Sequence, residues 1–373
     1  MMNTSPLYTQ RHARLAEIMA AAGLRALALN PSPSLVYLTG LKFHLMERPV
    51  VALFQPERPV TLIMPELETA KAEGLPFAAR VVAYGEDPAS WVEVFRQGCQ
   101  AAELEGQVGV EPTRLRVLEL RLLEAAASKA IYVSGEEAVA QLRMCKDEGE
   151  IAAMRRAVDI AQRALQATLP SIKEGITESQ IASELTLQLL RAGSEPESPF
   201  TPIVSGGPNS ANPHASPSER PLQKGDLLVI DWGAVYHGYV SDLTRTFAIG
   251  PVEGEYIHIA HLVCEANAAG RAAARPSTTA SEVDQAARKV IEQAGYGASF
   301  FHRLGHGLGL EGHEPPYIRT GNNLRLEPGM TFTIEPGIYL TGRGGVRIED
   351  NVVITADGSE TLSSLPRELI TLD

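Results

Sequence analysis

The sequence has few cysteines, no basic run and no long apolar segment. Cys99, Cys145 and Cys264 lie far apart and show no C-x-x-C spacing, which argues against a thiolate metal site and favours a reducing compartment. A net charge of −12 argues against nucleic acid or an anionic membrane as the main partner. No apolar run approaches the ~20 residues that span a bilayer. A polar start precedes a helix predicted over residues 10–22, unlike a signal peptide, so we expect a cytoplasmic protein.

The length of 373 residues predicts two domains, a smaller one over 1–140 and a larger one over 141–373. The first part alternates helix and strand. Its predicted helices beyond the opening one cover residues 91–101 and 113–127. Its predicted strands are "LRALALN", "SLVYLTG", "VVALFQ", "VTLIMP", "ARVVAYG", "QVGVE" and "AIYV". This alternation indicates a compact α/β domain.

The second part has a different pattern, in which helices lie outside paired strands. A long helical pattern running from "EEAVAQ" to "QATL" connects the two parts, and Gly149 either breaks this helix or only weakens it. Its other predicted helices cover residues 150–169, 177–192, 256–274 and 280–293. Helices segregated from antiparallel strands indicate an α+β domain.

The segment "DWGAVYHGYVSD" reads as a β-hairpin that carries two aspartates on otherwise apolar strands. With His237 and Gly238 as the turn, Asp231 lies opposite Thr244, and Asp242 shares the face of Thr244 because side chains alternate with a period of two. A solvated sheet face is the alternative. If the face is buried, two like charges this close require a positive charge between them.

A second hairpin, "TFTIEPGIYL" to "GVRIED", repeats this pattern with Glu335 and Glu349 roughly opposite each other. Between the hairpins, "FFHRLGHGLGLEGHE" carries His302, His306 and His313 on a glycine-rich segment. A lone histidine of this kind is more often structural. Together with four carboxylates, an imidazole suits manganese, cobalt(II), iron(II) or zinc, and four carboxylates can hold two ions ~3.5–4 Å apart, as in two-metal hydrolases.

The motifs "DWGAVYHGYVSDLTRTF", "HRLGHGLGLEGHE", "TIEPGIYL" and "VRIEDNVVIT" resemble the pita-bread metallopeptidases, in particular Xaa-Pro dipeptidases (prolidases) and aminopeptidase P. The resemblance covers about residues 150–373 well and the first domain more loosely. It implies a C-terminal pita-bread domain of α+β class after a smaller α/β creatinase-like N-domain that contributes to the substrate cleft and to dimerisation. It also implies a homodimer and two divalent metal ions, with manganese favoured and cobalt or zinc as alternatives. The implied metal ligands are Asp231, Asp242, His306, Glu335 and Glu349, with Asp242 and Glu349 bridging both ions.

The same resemblance implies roles for the surrounding side chains. His214, in "NPHASP", and His313 match substrate-side histidines that stabilise an oxyanion and position the proline residue. Glu335 would carry a proton to the departing proline nitrogen. His302 matches an outer histidine, and Thr244 a hydroxyl that orients a ligand carboxylate; for these two a purely structural role is an equal alternative.

The sequence departs from the prolidase pattern at one position. Where "HE-x-P" is commonly followed by an arginine that helps hold the free carboxylate of a dipeptide, this chain has Tyr317 in "HEPPYIR". Arg347 lies on the strand face of Glu349 and is predicted to point at the site. Arg319 is close in sequence, and Arg48, in "LKFHLMERPVV", is the predicted carboxylate partner from the N-domain; a solvated loop charge is the alternative.

The sequence therefore predicts a two-metal peptidase that cleaves the bond before proline in Xaa-Pro dipeptides. The nearest alternative is aminopeptidase P activity on longer Xaa-Pro peptides. A non-catalytic pita-bread module that binds peptides or proteins, and creatinase-like chemistry, are disfavoured because the full ligand set is present. Methionine aminopeptidase is disfavoured by the N-domain.

Overall fold

The structure, a computed structural model, describes residues 5–372. Of the polar start predicted before residue 10, residues 1–4 lie outside the described part, and the remainder is helical because the first helix begins at Ser5. The chain forms two compact units, Met1–Arg143 and Met144–Asp373. None of the helices between residues 5 and 372 combines the length and the apolar character that crossing a bilayer requires.

The first unit is a mixed sheet with helices. Its elements are α1 Ser5–Ala21, β1 Ala26–Leu29, α2 Pro33–Thr39, β2 Val51–Phe54, β3 Val60–Pro65, β4 Ala79–Tyr84, α3 Trp91–Ala101, β5 Gly106–Val110, α4 Val117–Ala126, β6 Ala130–Ser134 and α5 Glu136–Arg143. The sheet has the order β4-β3-β2-β1-β5-β6. β1, β2 and β3 are buried along their whole lengths, because side chains such as Phe95 of α3 and Leu123 of α4 pack on the sheet.

One predicted strand of this unit is wrong, because "SLVYLTG" forms helix α2. The Ser32 side chain accepts a hydrogen bond from the Leu35 amide at 3.2 Å, Pro33 occupies the first turn, and Gly40 closes the helix with φ 72°. These cap signals decide the structure, since a short buried apolar run cannot be assigned to strand or helix from its pattern alone.

The predicted connecting helix is interrupted, but not at Gly149. Helix α5 ends at Arg143, and the next helix, α6, begins at Glu148, so Gly149 lies inside its first turn. The start is fixed by a capping box in which the Asp147 carboxylate accepts the Glu150 amide at 2.8 Å and the Glu150 carboxylate accepts the Asp147 amide at 2.9 Å.

The second unit combines two helix pairs with mainly antiparallel strands. Its elements are α6 Glu148–Thr168, α7 Glu178–Ala192, β7 Ile203–Gly206, β8 Leu227–Trp232, β9 Val235–Tyr236, β10 Tyr239–Val240, β11 Leu243–Ile249, α8 Gly254–Ala273, α9 Ala280–Gln293, β12 Gly305–Gly307, β13 Glu314–Ile318, β14 Thr331–Ile334, β15 Gly337–Leu340, β16 Gly344–Arg347, β17 Asp350–Ile354, β18 Ser359–Thr361 and β19 Ile370–Leu372. The larger sheets have the orders β19-β11-β8-β7 and β13-β12-β14-β17-β18. Among the described residues of this unit, only β11 and β19 pair in parallel. Trp232 anchors α6 to β8, since its ring is fully buried and its indole N–H donates to the Ala161 carbonyl at 2.8 Å. The predicted α+β class is confirmed.

Candidate metal centre and substrate pocket

The first hairpin has the register that its sequence predicts. β8 pairs with β11 so that Asp231 lies opposite Thr244, and Asp242 immediately precedes β11. His237 and Gly238 form the turn between β9 and β10 with φ values of 51° and 79°. Positive φ at both turn residues matches the right-handed twist of the strands.

The second hairpin also has the expected pairing. Ile334 of β14 pairs with Asp350 of β17, and Gly337 of β15 pairs with Arg347 of β16. The same register places Glu335 opposite Glu349, in the gap between these two ladders. β11 contacts the second hairpin directly, because the Glu349 amide donates to the Thr244 carbonyl at 3.1 Å.

The two hairpins and the glycine-rich segment bring the five predicted metal ligands together. One oxygen each from Asp231, Asp242 and Glu349 lies within 4.8 Å of the others, and the same holds for ligand atoms of His306, Glu335 and Glu349. Glu349 is shared between these two groups. This overlap is what a pair of neighbouring cation sites requires.

Burial makes this carboxylate cluster electrostatically unfavourable on its own. The pKa of Asp242 is raised well above its usual value, first by burial and then by the charges of Glu349 and Asp231. The pKa of Glu349 is raised well above its usual value by burial and by Glu335 and Asp231. Burial raises the pKa of Asp231 as well, against the opposing effect of Arg347. Protons or cations must therefore compensate these charges.

Asp231 supplies a direct test of whether a metal ion fits. Its Oδ2 accepts from Arg347 Nη2 at 2.7 Å, whereas its Oδ1 is buried and has no hydrogen-bond partner among residues 5–372. A buried carboxylate oxygen without a partner is energetically costly. A divalent cation would satisfy Oδ1, and four carboxylates with one imidazole are donors that suit such a metal.

Glu335 lies closer to His306 than Asp242 does, since Asp242 Oδ2 is 3.7 Å from Nε2 of this ring. Glu335 Oε1 lies 3.2 Å from the same nitrogen and accepts from the Thr333 hydroxyl at 3.0 Å. Burial opposes ionisation, but the hydrogen bond and charge of His306 prevail and lower the pKa of Glu335 to about 2. Glu335 is therefore an ionised carboxylate at neutral pH.

Neighbouring polar side chains contact the predicted ligands. The Thr244 hydroxyl donates to Glu349 Oε2 at 2.6 Å and accepts from Arg347 Nε at 3.2 Å, which is the contact that its predicted orienting role requires. Asn351 holds the backbone of Asp242 from both sides, with bonds of 3.1 Å and 2.5 Å. Sequence reasoning missed Asn351, although it follows Glu349 closely on the same hairpin.

A pocket of about 600 Å³ opens onto this cluster. His214 and His313, the predicted substrate-side histidines, both line it, and Phe200, Pro202 and Ile203 form an apolar wall. The pocket thus has the combination expected for a binding site, an apolar surface with a few convergent polar groups.

His302 also lines the pocket, and its ring is held at both nitrogens. Nδ1 lies 2.8 Å from the Arg303 carbonyl, and Nε2 lies 3.0 Å from the Tyr339 hydroxyl, which itself accepts from Arg347 Nη1 at 3.1 Å. Burial lowers the pKa of His302 and raises that of Tyr339 to about 12. A neutral His302 donates from Nδ1, so Tyr339 donates to its Nε2. Tyr339 was missed by sequence reasoning, since a tyrosine in an apolar strand carries no distinctive signal.

The arginines predicted to hold a substrate carboxylate have different surroundings. Arg347 lines the pocket but is buried, and it donates to Asp231, Thr244 and Tyr339. Arg48, in the first unit, forms ion pairs with acidic side chains of that unit, and its role at the substrate stays a prediction.

Tyr317, at the departure from the prolidase pattern, pairs with His306 across β12 and β13. Its ring lies under the guanidinium of Arg303, with 4.7 Å from Cζ to the ring centroid. Arg303 lines the pocket and was missed by sequence reasoning. Its position beside His302, three residues before His306, was the available signal.

Comparison with known proteins agrees with this geometry. Residues 152–356 match metallopeptidase family M24, and residues 11–145 match the creatinase/prolidase N-terminal domain. The chain is 37% identical over 371 residues to the probable dipeptidase PepE of Mycobacterium tuberculosis, covering 98% of this chain and 96% of that protein.

Two solved structures are similar over nearly their whole lengths. A recombinant prolidase from Thermococcus sibiricus is 34% identical, with a TM-score of 0.91 and coverage of 98% of this chain and 99% of that one. An X-Pro aminopeptidase from Thermotoga maritima is 32% identical, with a TM-score of 0.85 and coverage of 96% and 99%. The chain belongs to metallopeptidase family M24 and combines a creatinase N-terminal domain with a pita-bread metallopeptidase domain.

Proposed function

We propose that this protein is a dinuclear, proline-specific metallopeptidase that acts mainly as an Xaa-Pro dipeptidase. The observation that carries the proposal is the pair of ligand groups that share Glu349 at the floor of the pocket. The similarity to a prolidase from Thermococcus sibiricus supports the choice of substrate.

Asp231, Asp242, His306, Glu335 and Glu349 would hold two divalent ions, with Asp242 and Glu349 shared. We favour manganese, with cobalt or zinc as alternatives, because the donors are mainly hard oxygens. When bound, such ions supply Lewis acidity, which lowers the pKa of water and polarises a carbonyl group.

The protein's own side chains would complete the reaction. Glu335 is ionised, so it can accept a proton from the attacking water and pass it to the proline nitrogen, which must be protonated to leave. Arg303 Nη2 lies 3.0 Å from His313 Nδ1. A guanidinium can only donate, so Nδ1 accepts and the Nε2–H of neutral His313 can donate to the developing oxyanion. His214, exposed at the pocket edge, is the second candidate donor. His302 and Thr244 position these groups.

A second candidate activity is release of the first residue from longer Xaa-Pro peptides, as in aminopeptidase P. Tyr317, in place of the prolidase arginine, favours it, as does the similarity to the X-Pro aminopeptidase from Thermotoga maritima. We favour the dipeptidase because another cation, the guanidinium of Arg303, lies over the ring of Tyr317.

The resemblance also leads us to propose a homodimer located in the cytoplasm. The contribution of residues 1–140 to the substrate cleft and to dimerisation stays a prediction. Light scattering on the purified protein would measure the oligomeric state, and a monomer at micromolar concentration would contradict the proposed homodimer.

The test is metal removal and return with two substrates. Protein treated with chelator should lose hydrolysis of Ala-Pro and Ala-Pro-Ala, and manganese should restore it with two ions bound per chain. We expect higher kcat/KM for Ala-Pro. Full activity without metal would refute the metallopeptidase mechanism. Binding of only one ion per chain at saturation would refute the dinuclear centre. Faster cleavage of the tripeptide would establish the aminopeptidase activity instead.

A further inference from the structure

Arg303 is a pocket arginine that the metal centre and its supporting contacts leave largely unused. It is half-buried and lies on the segment between His302 and the ligand His306. Its side-chain contacts are the ring of Tyr317, at 4.7 Å, and Nδ1 of His313, at 3.0 Å. Neither partner can compensate its charge, because an imidazole and a phenol ring supply no negative charge at neutral pH.

The charge of Arg303 is therefore uncompensated inside the pocket. Within residues 5–372, no Asp or Glu forms an ion pair with it, and its N–H groups other than the one facing His313 make no hydrogen bond to the protein. Arg347, the other arginine of the pocket, is paired with Asp231. A half-buried cation beside a cavity is best compensated by an anionic group of a ligand.

The stack on Tyr317 explains how this cation is held in place. Tyr317 occupies the position where prolidases commonly carry an arginine, and Cζ of Arg303 lies over its ring. Stacking uses the face of a guanidinium and leaves its N–H edge available for a bidentate bond. The cation absent from position 317 is thus supplied from position 303.

We infer that Arg303 binds the free α-carboxylate of the substrate's C-terminal proline and so sets the preference for dipeptides. This inference rests on the proposed peptidase function and names the residue behind its substrate-length preference. The bidentate fork of arginine matches a carboxylate, whereas an amide or a continuing peptide chain offers no negative charge at that point.

The experiment compares Ala-Pro with its amide, Ala-Pro-NH2, which has the same scissile bond without the carboxylate. In the unmodified enzyme, we expect higher kcat/KM for Ala-Pro. Arg303→Gln should lower kcat/KM for Ala-Pro by about ten- to a hundredfold more than for the amide, the scale of one charge-assisted bond. Any loss through His313 affects both substrates and cancels in this ratio.

Two further variants make the comparison specific. Arg303→Lys keeps the charge but loses the fork, so it should recover part of the preference for Ala-Pro. Arg319→Gln is the matched control, because Arg319 is an exposed arginine that follows β13, outside the pocket lining; its ratio should be unchanged. Melting temperature and bound manganese verify that each variant is folded. If Arg303→Gln does not fold, the several-fold loss of preference expected for Arg303→Lys decides.

Equal losses on Ala-Pro and Ala-Pro-NH2 would overturn the inference, as would an unmodified enzyme without preference for the acid. The inference would also be overturned if Arg303→Gln lowered kcat/KM for Asp-Pro-NH2 but not for Ala-Pro-NH2, because Arg303 would then bind the side-chain carboxylate of the first residue. If the manganese-loaded enzyme cleaves neither substrate, the proposed function itself fails, a result distinct from these.

Discussion

Replacing Asp242 by Asn should stabilise the metal-free protein and destabilise the metal-loaded one. The substitution nearly preserves the shape of the side chain but removes one charge from a buried cluster. In the metal-free protein, Asp231 and Glu349 repel this charge. In the metal-loaded protein, under the proposed function, the Asp242 carboxylate is a ligand shared by both ions.

The distances between the carboxylates set the size of the expected change in the free energy of unfolding. The ligand atoms lie within 4.8 Å of one another, and two like charges at that limit repel by about 3.5 kcal/mol at an effective dielectric constant of ~20. Arg347 beside Asp231 and bound protons offset part of this, so we expect a gain of ~1–3 kcal/mol in the free energy of unfolding at pH 8. For comparison, a metal at a hundred times its Kd stabilises by about 2.7 kcal/mol per site, and Asp242→Asn should forfeit much of that.

The raised pKa values of Asp242 and Glu349 also determine how the stability of the metal-free protein depends on pH. Between the unfolded carboxyl pKa of ~4 and the raised folded values of Asp242 and Glu349, the folded metal-free state binds more protons than the unfolded chain. Its stability therefore falls as pH rises through this window. The advantage of Asp242→Asn should be largest at pH 8 and small near pH 4.

Urea unfolding of both proteins, with chelator and with excess manganese, measures these four stabilities. Glu311→Gln is a suitable control, since Glu311 lies on the same glycine-rich segment but belongs to none of the candidate ligand groups. If Asp242→Asn destabilises the protein equally with and without metal, Asp242 has a structural role and the argument fails.

Three more outcomes are expected. His214→Ala should lower kcat for Ala-Pro by roughly 10²–10³ if it donates to the oxyanion, with bound metal unchanged; a pure KM effect would assign it another role. Lys146→Met should lower the free energy of unfolding by about 3–5 kcal/mol in urea titration, because it breaks a buried 2.7 Å ion pair with Glu314, and a loss below 1 kcal/mol would contradict this. For Arg48→Ala, the sequence-based prediction is a ten- to hundredfold loss of kcat/KM on dipeptides only. If Arg48 instead keeps its ion pairs with acidic neighbours and the substrate carboxylate binds elsewhere, kcat/KM should fall less than threefold on dipeptides and tripeptides alike.

The pairing within each hairpin and the candidate ligands could be predicted from the sequence alone. Strand side chains alternate with a period of two, so Asp231 opposite Thr244 and Glu335 opposite Glu349 follow once the turns are located. Four carboxylates that interrupt apolar strands are a local signal of a cation site. The apolar pattern failed for "SLVYLTG", because helix and strand compete closely in so short a buried run; the cap residue Ser32, just before it, favours the helix.

Which charges have partners, in contrast, depends on the folded chain. Arg347 and Asp231 are 116 residues apart in sequence, so nothing local shows that the guanidinium predicted to bind substrate is already paired. The uncompensated charge of Arg303 and its stack on Tyr317 likewise depend on how β12 and β13 pair. Electrostatic pairing is decided by distances of a few ångströms between segments remote in sequence, and folding alone sets those distances.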